Sequence, residues 1–119
     1  MFINLSNHPA SLWSEQHLMA AKQYGEVIDM PFPWISPYAS EDEIEILVED
    51  YRQRVLAYGK PTVMLQGEFV FTYRLTKKLK EDGLLVLASC TDRKTEEKRE
   101  KNGRTTKLSV FEFVGFRKY

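Results

Sequence analysis

Apolar residues along this chain occur either in short continuous runs or at helical spacing within polar stretches. The short runs have the length of single strands and indicate buried β-strands, whereas the spaced positions indicate amphipathic helices. The predicted strands are residues 2–5, 26–30, 62–65, 84–89 and 107–114. In the last of these, apolar and polar residues alternate, so we expect only one of its faces to be buried.

Capping residues place three helices between the first four predicted strands. Ser14 is a good N-cap, and Trp13 before it is expected to pack on Leu18, four positions into the helix. The second helix opens with a capping box formed by Ser40 and Glu43. The third helix follows the third strand directly. Each helix is expected to end at a glycine, namely Gly25, Gly59 and Gly83.

The order of elements is β-α-β-α-β-α-β, followed by one more strand. Right-handed crossovers make the first four strands parallel, and the last strand is expected to return antiparallel beside the fourth as a long hairpin. We therefore predict a compact Rossmann-like α/β sandwich with four parallel strands, a C-terminal antiparallel strand and three helices, forming one domain over residues 1–119. The charged stretch 92–106 is predicted to be a loop, either solvated and mobile or folded over an anion as a lid.

Composition and charge narrow the class of protein. The chain has 119 residues, 43% of them hydrophobic, and no apolar run approaches the roughly 20 residues that span a bilayer. Its single cysteine, Cys90, and the absence of a signal sequence predict a cytoplasmic protein without a disulfide. Residues 1–59 carry a net charge of −6 and residues 60–119 a net charge of +6. The zero total argues against a protein that coats a DNA duplex, but a basic half could hold a small anionic ligand.

Polar turns follow three of the predicted strands at the edge where ligands bind in open parallel sheets. The residues in these turns are Ser6, Asn7 and His8, then Gln66, Gly67 and Glu68, then Ser89, Thr91, Asp92 and Arg93. A ligand-binding site and ordinary loop chemistry explain these turns about equally well. Gly67 would let backbone N–H groups at a helix N-terminus approach an anion, or would serve a tight turn that requires a positive φ.

Candidate catalytic residues are few. His8 could exchange a proton near neutral pH or simply cap the first turn, Glu68 is a second proton-transfer candidate, and Arg93 could stabilise charge on a phosphate. Cys90 is expected to be a packing residue, and His17 is assigned no role. No cluster has metal-ligand spacing, and neither the GxGxxG fingerprint nor the Walker A pattern is present, so we predict no metal and no cofactor.

The chain opens with Phe-Ile-Asn-Leu-Ser-Asn-His-Pro and has Met-Leu-Gln-Gly-Glu before its third predicted helix. These segments resemble the "N(F/L)S-x-H-P" start and the central "GE" block of small stand-alone CRISPR-associated proteins related to the CARF (CRISPR-associated Rossmann fold) domain. The C-terminal part resembles their "T-x-R … F-x-F-V-x-F-R-x-Y" ending. The matching segments are residues 2–9, 64–68 with the following helix, 88–93 and 110–119.

This resemblance implies a partner of type III CRISPR systems that binds the second messenger cyclic oligoadenylate. It also implies a homodimer with one shared ligand site, and metal-independent ring-nuclease cleavage to a 2′,3′-cyclic phosphate. Adenine bases and 2′-hydroxyls would then be read by Asn7, Gln66 and Ser89, and phosphates by the Gly67 turn and Arg93. Two other functions stay open, namely a sensor or sponge that binds the messenger without cleaving it, and an unrelated nucleotide-binding or structural domain. Aromatic residues in a proline-rich loop, Phe32, Trp34 and Tyr38, offer apolar material for a dimer interface.

Overall fold

The computed structural model describes the backbone of residues 1–119 and every side chain except that of Glu96. It contains five strands, three α-helices and a short 3₁₀ turn at Ala10–Leu12. The elements in chain order are β1 (Phe2–Leu5), α1 (Glu15–Lys22), β2 (Val27–Asp29), α2 (Glu41–Leu56), β3 (Thr62–Leu65), α3 (Phe69–Glu81), β4 (Val86–Arg99) and β5 (Thr105–Lys118).

The five strands form one sheet in the order β2-β1-β3-β4-β5, which confirms the α/β class. Strand β1 pairs in parallel with both β2 and β3, β3 pairs in parallel with β4, and β4 pairs antiparallel with β5. The chain leaves β1 toward one edge of the sheet and leaves β3 toward the other. The topological switch point therefore lies between the carboxyl ends of β1 and β3, where open α/β sheets bind ligands.

Two separate apolar layers cover the two faces of the sheet. On one face, α2 and α3 bury Ile3, Leu5, Val63 and Leu65 of the central strands, and the fully buried Phe71 of α3 lies in this layer. On the other face, a smaller cluster packs beneath α1 and includes Phe2, Met64 and Leu87, with Phe116 of β5 against it. Only one helix covers this second face, which leaves room there for a cleft.

The local signals at the helix ends behave as predicted. The Ser14 hydroxyl accepts a hydrogen bond from the His17 N–H at 3.2 Å, and Ser40 and Glu43 form the reciprocal capping box. Gly25, Gly59 and Gly83 all have positive φ, the conformation that glycine adopts at helix ends without steric penalty. Trp13 stacks on His17, one residue before its predicted partner Leu18.

The prediction of a charged loop over residues 92–106 is wrong. Strand β4 continues to Arg99 and β5 begins at Thr105, so this stretch forms a two-stranded ribbon closed by a short turn that contains Gly103. The hairpin itself was expected, but the strands extend far past the apolar residues that indicated them. From Asp92 onward the described side chains of β4 are exposed on both faces, so no apolar alternation marks this part of the strand in the sequence.

A β-bulge separates the ribbon from the rest of the sheet. Cys90 pairs with Gly115 but Thr91 pairs with Phe113, so Val114 is the extra residue on β5. Beyond the bulge the ribbon projects from the body, and the molecule measures 56 × 38 × 21 Å. Its radius of gyration is 17.3 Å, whereas a compact domain of this length has about 13.5 Å. The prediction of a compact domain is therefore correct for the body but not for the ribbon.

Acidic residues on α2 form ion pairs with basic residues of α3. Glu45 contacts Arg74 at 3.1 Å and Lys78 at 3.4 Å, and Glu49 contacts Lys78 at 3.3 Å. Much of the acidity in the first half of the chain is therefore balanced within the fold. None of the described helices is long and apolar enough to cross a membrane.

Candidate functional site

A cleft of about 660 Å³ opens at the carboxyl ends of β1, β3 and β4, on the face that α1 covers. Its walls come from the β1 turn, the start of α1, the β3 turn and the base of the ribbon. A depression of similar size, about 690 Å³, lies beside α1 and β2, and no residue of β3 or β4 lines it. The cleft is lined by Ser6, Asn7, His8, Leu12, Trp13, Ser14, His17, Met64, Gln66, Gly67, Ser89, Thr91, Phe111 and Phe113.

Seven of the ten predicted site residues meet in this cleft. They are Ser6, Asn7, His8, Gln66, Gly67, Ser89 and Thr91. The other three, Glu68, Asp92 and Arg93, lie outside its lining. The rule that ligands bind beyond the carboxyl ends of parallel strands therefore located the cleft from the sequence, although it did not identify every member.

A buried hydrogen-bond network holds the β1 turn in place. Asn4, which is only 2% exposed, donates from Nδ2 to the His8 carbonyl at 2.7 Å and to the Asp29 carboxylate at 2.9 Å. The Ser6 hydroxyl donates to Asn4 Oδ1 at 2.6 Å, and the His8 N–H donates to the Ser6 hydroxyl at 3.2 Å. Ser6 therefore shapes the turn, whereas the exposed side chains of Asn7 and His8 lie at the surface of the cleft.

The floor of the cleft is braced from β4 and from the end of β5. Gln66 Oε1 accepts a hydrogen bond from the Ser89 N–H at 2.7 Å, which fixes the amide between the ends of β3 and β4. Its NH₂ group is then the half of the amide left for a ligand. The Tyr119 hydroxyl donates to the Leu65 carbonyl, the residue before Gln66, at 2.6 Å.

Gly67 is required by packing, since its φ is not positive. A Cβ built on Gly67 would lie 2.3 Å from two ring carbons of Phe32. The phenyl ring therefore occupies the space where any other residue would place its side chain. Of the two reasons that the sequence offered for this glycine, the positive-φ turn is wrong, and the close approach is to an aromatic ring of the same chain.

Glu68 caps α3 with its own carboxylate. Its oxygens accept hydrogen bonds from the Val70 and Phe71 N–H groups, each at 2.8 Å. These are the backbone donors that the Gly67 turn was expected to offer to a phosphate, so that expectation is corrected. Because Glu68 also lies outside the cleft lining, its geometry gives no support to a role in proton transfer.

Three stacked rings form one wall of the cleft. The His17 imidazole lies between Trp13 and Phe113, with centroid distances of 3.8 and 4.1 Å and interplanar angles of 7° and 5°. His17 is 9% exposed, and its Nε2 is buried with no hydrogen-bond partner among the described residues. Burial lowers the pKa of His17 to about 4, so the imidazole is neutral at physiological pH.

Asp92 and Arg93 lie on opposite faces of the ribbon because side chains alternate along a strand. Arg93 is the cross-strand partner of Phe111 and shares the face of Thr91 and Phe113, which line the cleft. Asp92 is the partner of Glu112, on the other face. Arg93 is therefore placed beside the cleft, whereas Asp92 points away from the ligand contact predicted for it.

Sequence reasoning missed the aromatic wall and the buried network. His17 carried no signal of its own, because Phe113, one of the rings that enclose it, comes from a strand almost a hundred residues away. Asn4 did carry one, since an amide inside a four-residue apolar strand needs a buried partner. Among the side chains that the structure describes, no group of three or more His, Cys, Asp or Glu could hold a metal ion.

The fold and the cleft define a class, namely an α/β protein with strand order 2-1-3-4-5 and a candidate ligand site at the topological switch point. The chain belongs to the Uncharacterized protein MJ1673 family, whose family model matches residues 1–117. No curated protein and no solved structure matches the chain.

Proposed function

We propose that this protein is a cytoplasmic CARF-like domain that binds cyclic oligoadenylate in the cleft and degrades it as a metal-independent ring nuclease. The observation that carries the proposal is the convergence of polar groups from three strand ends on a single cleft at the switch point. The resemblance of residues 2–9, 64–68 and 88–93 to CARF-related proteins falls on these same strand ends, which supports the choice of ligand.

The chemistry of the lining suits a nucleotide. Asn7 and the free half of the Gln66 amide can hydrogen-bond base edges and 2′-hydroxyls, which requires groups that donate as well as accept. Phe111, Phe113 and Trp13 add aromatic surface of the kind on which unpaired bases stack. The positive charge that a phosphate needs would come from Arg93, next to the lining.

The proposed reaction uses the ligand's own hydroxyl group. The ribose 2′-oxygen bonds to the adjacent phosphorus while the bond from phosphorus to the 5′-oxygen breaks. The 2′-hydroxyl proton leaves to a base, the departing 5′-oxygen takes up a proton, and the products are a 2′,3′-cyclic phosphate and a 5′-hydroxyl. His8, which is exposed at the cleft surface, would move these protons, and in-line positioning would supply the rest of the rate.

A homodimer is part of the proposal, because each half of a symmetric cyclic ligand would make the same contacts with one subunit. The proline-rich loop still offers Trp34 and Tyr38, which are 83% and 94% exposed. Phe32 from the same loop packs against Phe71 and is only partly exposed. Light scattering with and without ligand measures the assembly.

One observation favours the alternative of a sensor or sponge that binds the same messenger without cleaving it. Among the described side chains that line the cleft there is no carboxylate and no lysine or arginine, and of its two histidines His17 is buried in the ring stack. A single exposed proton-transfer group suits binding at least as well as rapid turnover.

The test is incubation of the protein with radiolabelled cyclic tetra-adenylate and cyclic hexa-adenylate in EDTA, followed by separation of products from retained ligand. Linear products ending in a 2′,3′-cyclic phosphate are expected. Retention of intact ligand would assign the sensor. If the protein neither retains the ligand nor forms products, the proposal is overturned.

Replacement of His8 with alanine is expected to slow turnover by about 10²-fold, the usual contribution of a general acid or base. Ligand retention should change little, because the His8 backbone, and not its side chain, holds the β1 turn. Single-turnover rates with saturating protein measure this. A decrease of less than about threefold would exclude His8 as the proton-transfer group and leave in-line positioning as the main source of rate.

A further inference from the structure

We propose that Phe111 and Arg93, a cross-strand pair at the base of the ribbon, form a platform that binds one nucleotide unit. The Phe111 ring would stack on the base and the Arg93 guanidinium would contact the adjacent phosphate. The inference rests on the proposed function in that the ligand is a nucleotide, but it requires neither a cyclic ligand nor cleavage.

The first observation is the position of Phe111. Its side chain lines the cleft and is 65% exposed, whereas Phe113, two residues along the same face, is 7% exposed and stacks on His17. The row of rings Trp13, His17 and Phe113 is thus followed on the same face by one exposed aromatic residue, at the point where the wall meets solvent. An exposed aromatic face beside hydrogen-bonding groups is the arrangement on which single-stranded bases stack.

The second observation is the orientation of Arg93. Its guanidinium carbon lies 6.0 Å from the centroid of the Phe111 ring. Its Nε and Nη2 donate to the Ser109 hydroxyl at 3.3 and 3.0 Å, and Ser109 is the next residue of β5 on the same face. Ser109 uses two of the five N–H donors, so the others can bind a phosphate oxygen.

The charge distribution on the ribbon supports an anionic ligand at this place. Strand alternation sends Asp92 and Glu112 to the opposite face, where Glu112 forms a 2.6 Å ion pair with Lys94. On the platform face the first acidic residue beyond Arg93 is Glu97, four residues farther out, and Lys107 lies 4.0 Å from it. A phosphate beside Arg93 would therefore meet little repulsion.

Together these features select the ligand class. A platform that offers an exposed ring with a cation over one of its faces fits a base with its own phosphate, and the base must be unpaired to expose its face. A bare phosphate would use only Arg93. The ligand class is therefore single-stranded or cyclic oligonucleotides, and inorganic anions and duplexes are excluded from it.

The test uses protein with Trp34 changed to phenylalanine, so that the fluorescence of Trp13 in the cleft wall reports binding. Cyclic tetra-adenylate, cyclic hexa-adenylate, AMP and ribose 5-phosphate are titrated into this protein and into four further variants of it, Phe111→Ala, Phe111→Tyr, Val110→Ala and Arg93→Ala. Val110 is the matched control because it is the neighbouring residue on the opposite face and is 47% exposed. Circular dichroism checks that each variant is folded.

Phe111→Ala is expected to weaken binding of cyclic tetra-adenylate and AMP by about tenfold or more, the loss that follows removal of one stacked base contact. Phe111→Tyr, which keeps an aromatic ring without adding a tryptophan, should keep the affinity, and Val110→Ala should change it less than twofold. Binding of ribose 5-phosphate, which has no base, should be the same in the Phe111 and Val110 variants as in the parent protein. Arg93→Ala should weaken binding of every probe and reduce the salt dependence of binding.

Each alternative outcome is distinct. If the nucleotides bind the parent protein and Phe111→Ala leaves their affinity within twofold, the platform is wrong while the proposed function stands. If AMP binds in a Phe111-dependent way but neither cyclic tetra-adenylate nor cyclic hexa-adenylate binds, the proposed function fails and the platform stands. No binding of any nucleotide to the parent protein would overturn both. If Phe111→Ala changes the mass of the assembly measured by light scattering but leaves the affinity unchanged, the ring belongs to a subunit interface.

Discussion

Gly67→Ala is expected to destabilise the protein by about 3 kcal/mol, and Gly67→Val by more, although the backbone conformation at this position is open to any residue. The new Cβ would lie 2.3 Å from carbons of the Phe32 ring. That ring cannot move aside easily, since it packs edge-to-face on Phe71 at 5.1 Å, and Phe71 packs in turn on Tyr51 at 5.5 Å. Urea unfolding measures the change.

The control for this substitution is Gly115→Ala, because a Cβ at Gly115 meets nothing within 4 Å. It should change the free energy of unfolding by less than about 0.5 kcal/mol. In the double variant Gly67→Ala with Phe32→Ala, the total loss should be smaller than the sum of the single losses, since Phe32→Ala removes the ring that the new Cβ would meet. Equal losses at Gly67 and Gly115, or strict additivity with Phe32, would contradict the packing explanation.

Acidification is expected to destabilise the wild-type protein more than a His17→Phe variant. The pKa of His17 is about 4 in the folded protein and about 6.5 in the unfolded chain. Between these values the unfolded state binds the extra proton, so stability falls as the pH falls through this window. Relative to its value above pH 7, the free energy of unfolding of the wild-type protein should fall further than that of the variant. The extra loss should reach up to about 3 kcal/mol near pH 4.

Phenylalanine suits this comparison because it keeps a flat ring between Trp13 and Phe113 while removing the titrating group. The free energy of unfolding is measured in urea at half-unit steps from pH 7.5 to 4.0, and the slopes of the two proteins are compared. Parallel slopes would mean that His17 ionises in the folded state as readily as in the unfolded state. Such a result would refute the buried, neutral imidazole in the cleft wall.

Features that depend on neighbouring residues could be predicted from the sequence, and features that depend on distant ones could not. The N-caps at Ser14 and Ser40 and the glycines after each helix are local, and all of them are confirmed. The edge of the sheet that carries the cleft followed from the order of elements alone. The reason for Gly67, by contrast, is the ring of Phe32, which precedes it by 35 residues and shares no motif with it.

The ribbon escaped prediction for a different physical reason. Strands are found in sequences by the face they bury. The described side chains of residues 92–99 are exposed on both faces, so their pattern resembles that of a solvated loop. Backbone pairing with β5, in an unbroken register from Thr91 with Phe113 to Arg99 with Thr105, holds these residues extended instead. Because residues 92–106 were predicted to be a loop, the platform could not be predicted either, since Arg93 pairs with Phe111 only when both lie in neighbouring strands.

The length of β5 also bears on how the protein avoids aggregation. As the last strand in the sheet, β5 presents fourteen residues along an outer edge, with backbone groups that could template the addition of a foreign strand. Such addition is opposed by charged residues near both ends of the strand, Lys107 near its start and Arg117 and Lys118 at its end. Between them, the bulge at Val114 interrupts the regular edge. Strand β5 thus carries its own protection against fibrous aggregation. Substitutions that neutralise Lys107, Arg117 or Lys118 would weaken that protection.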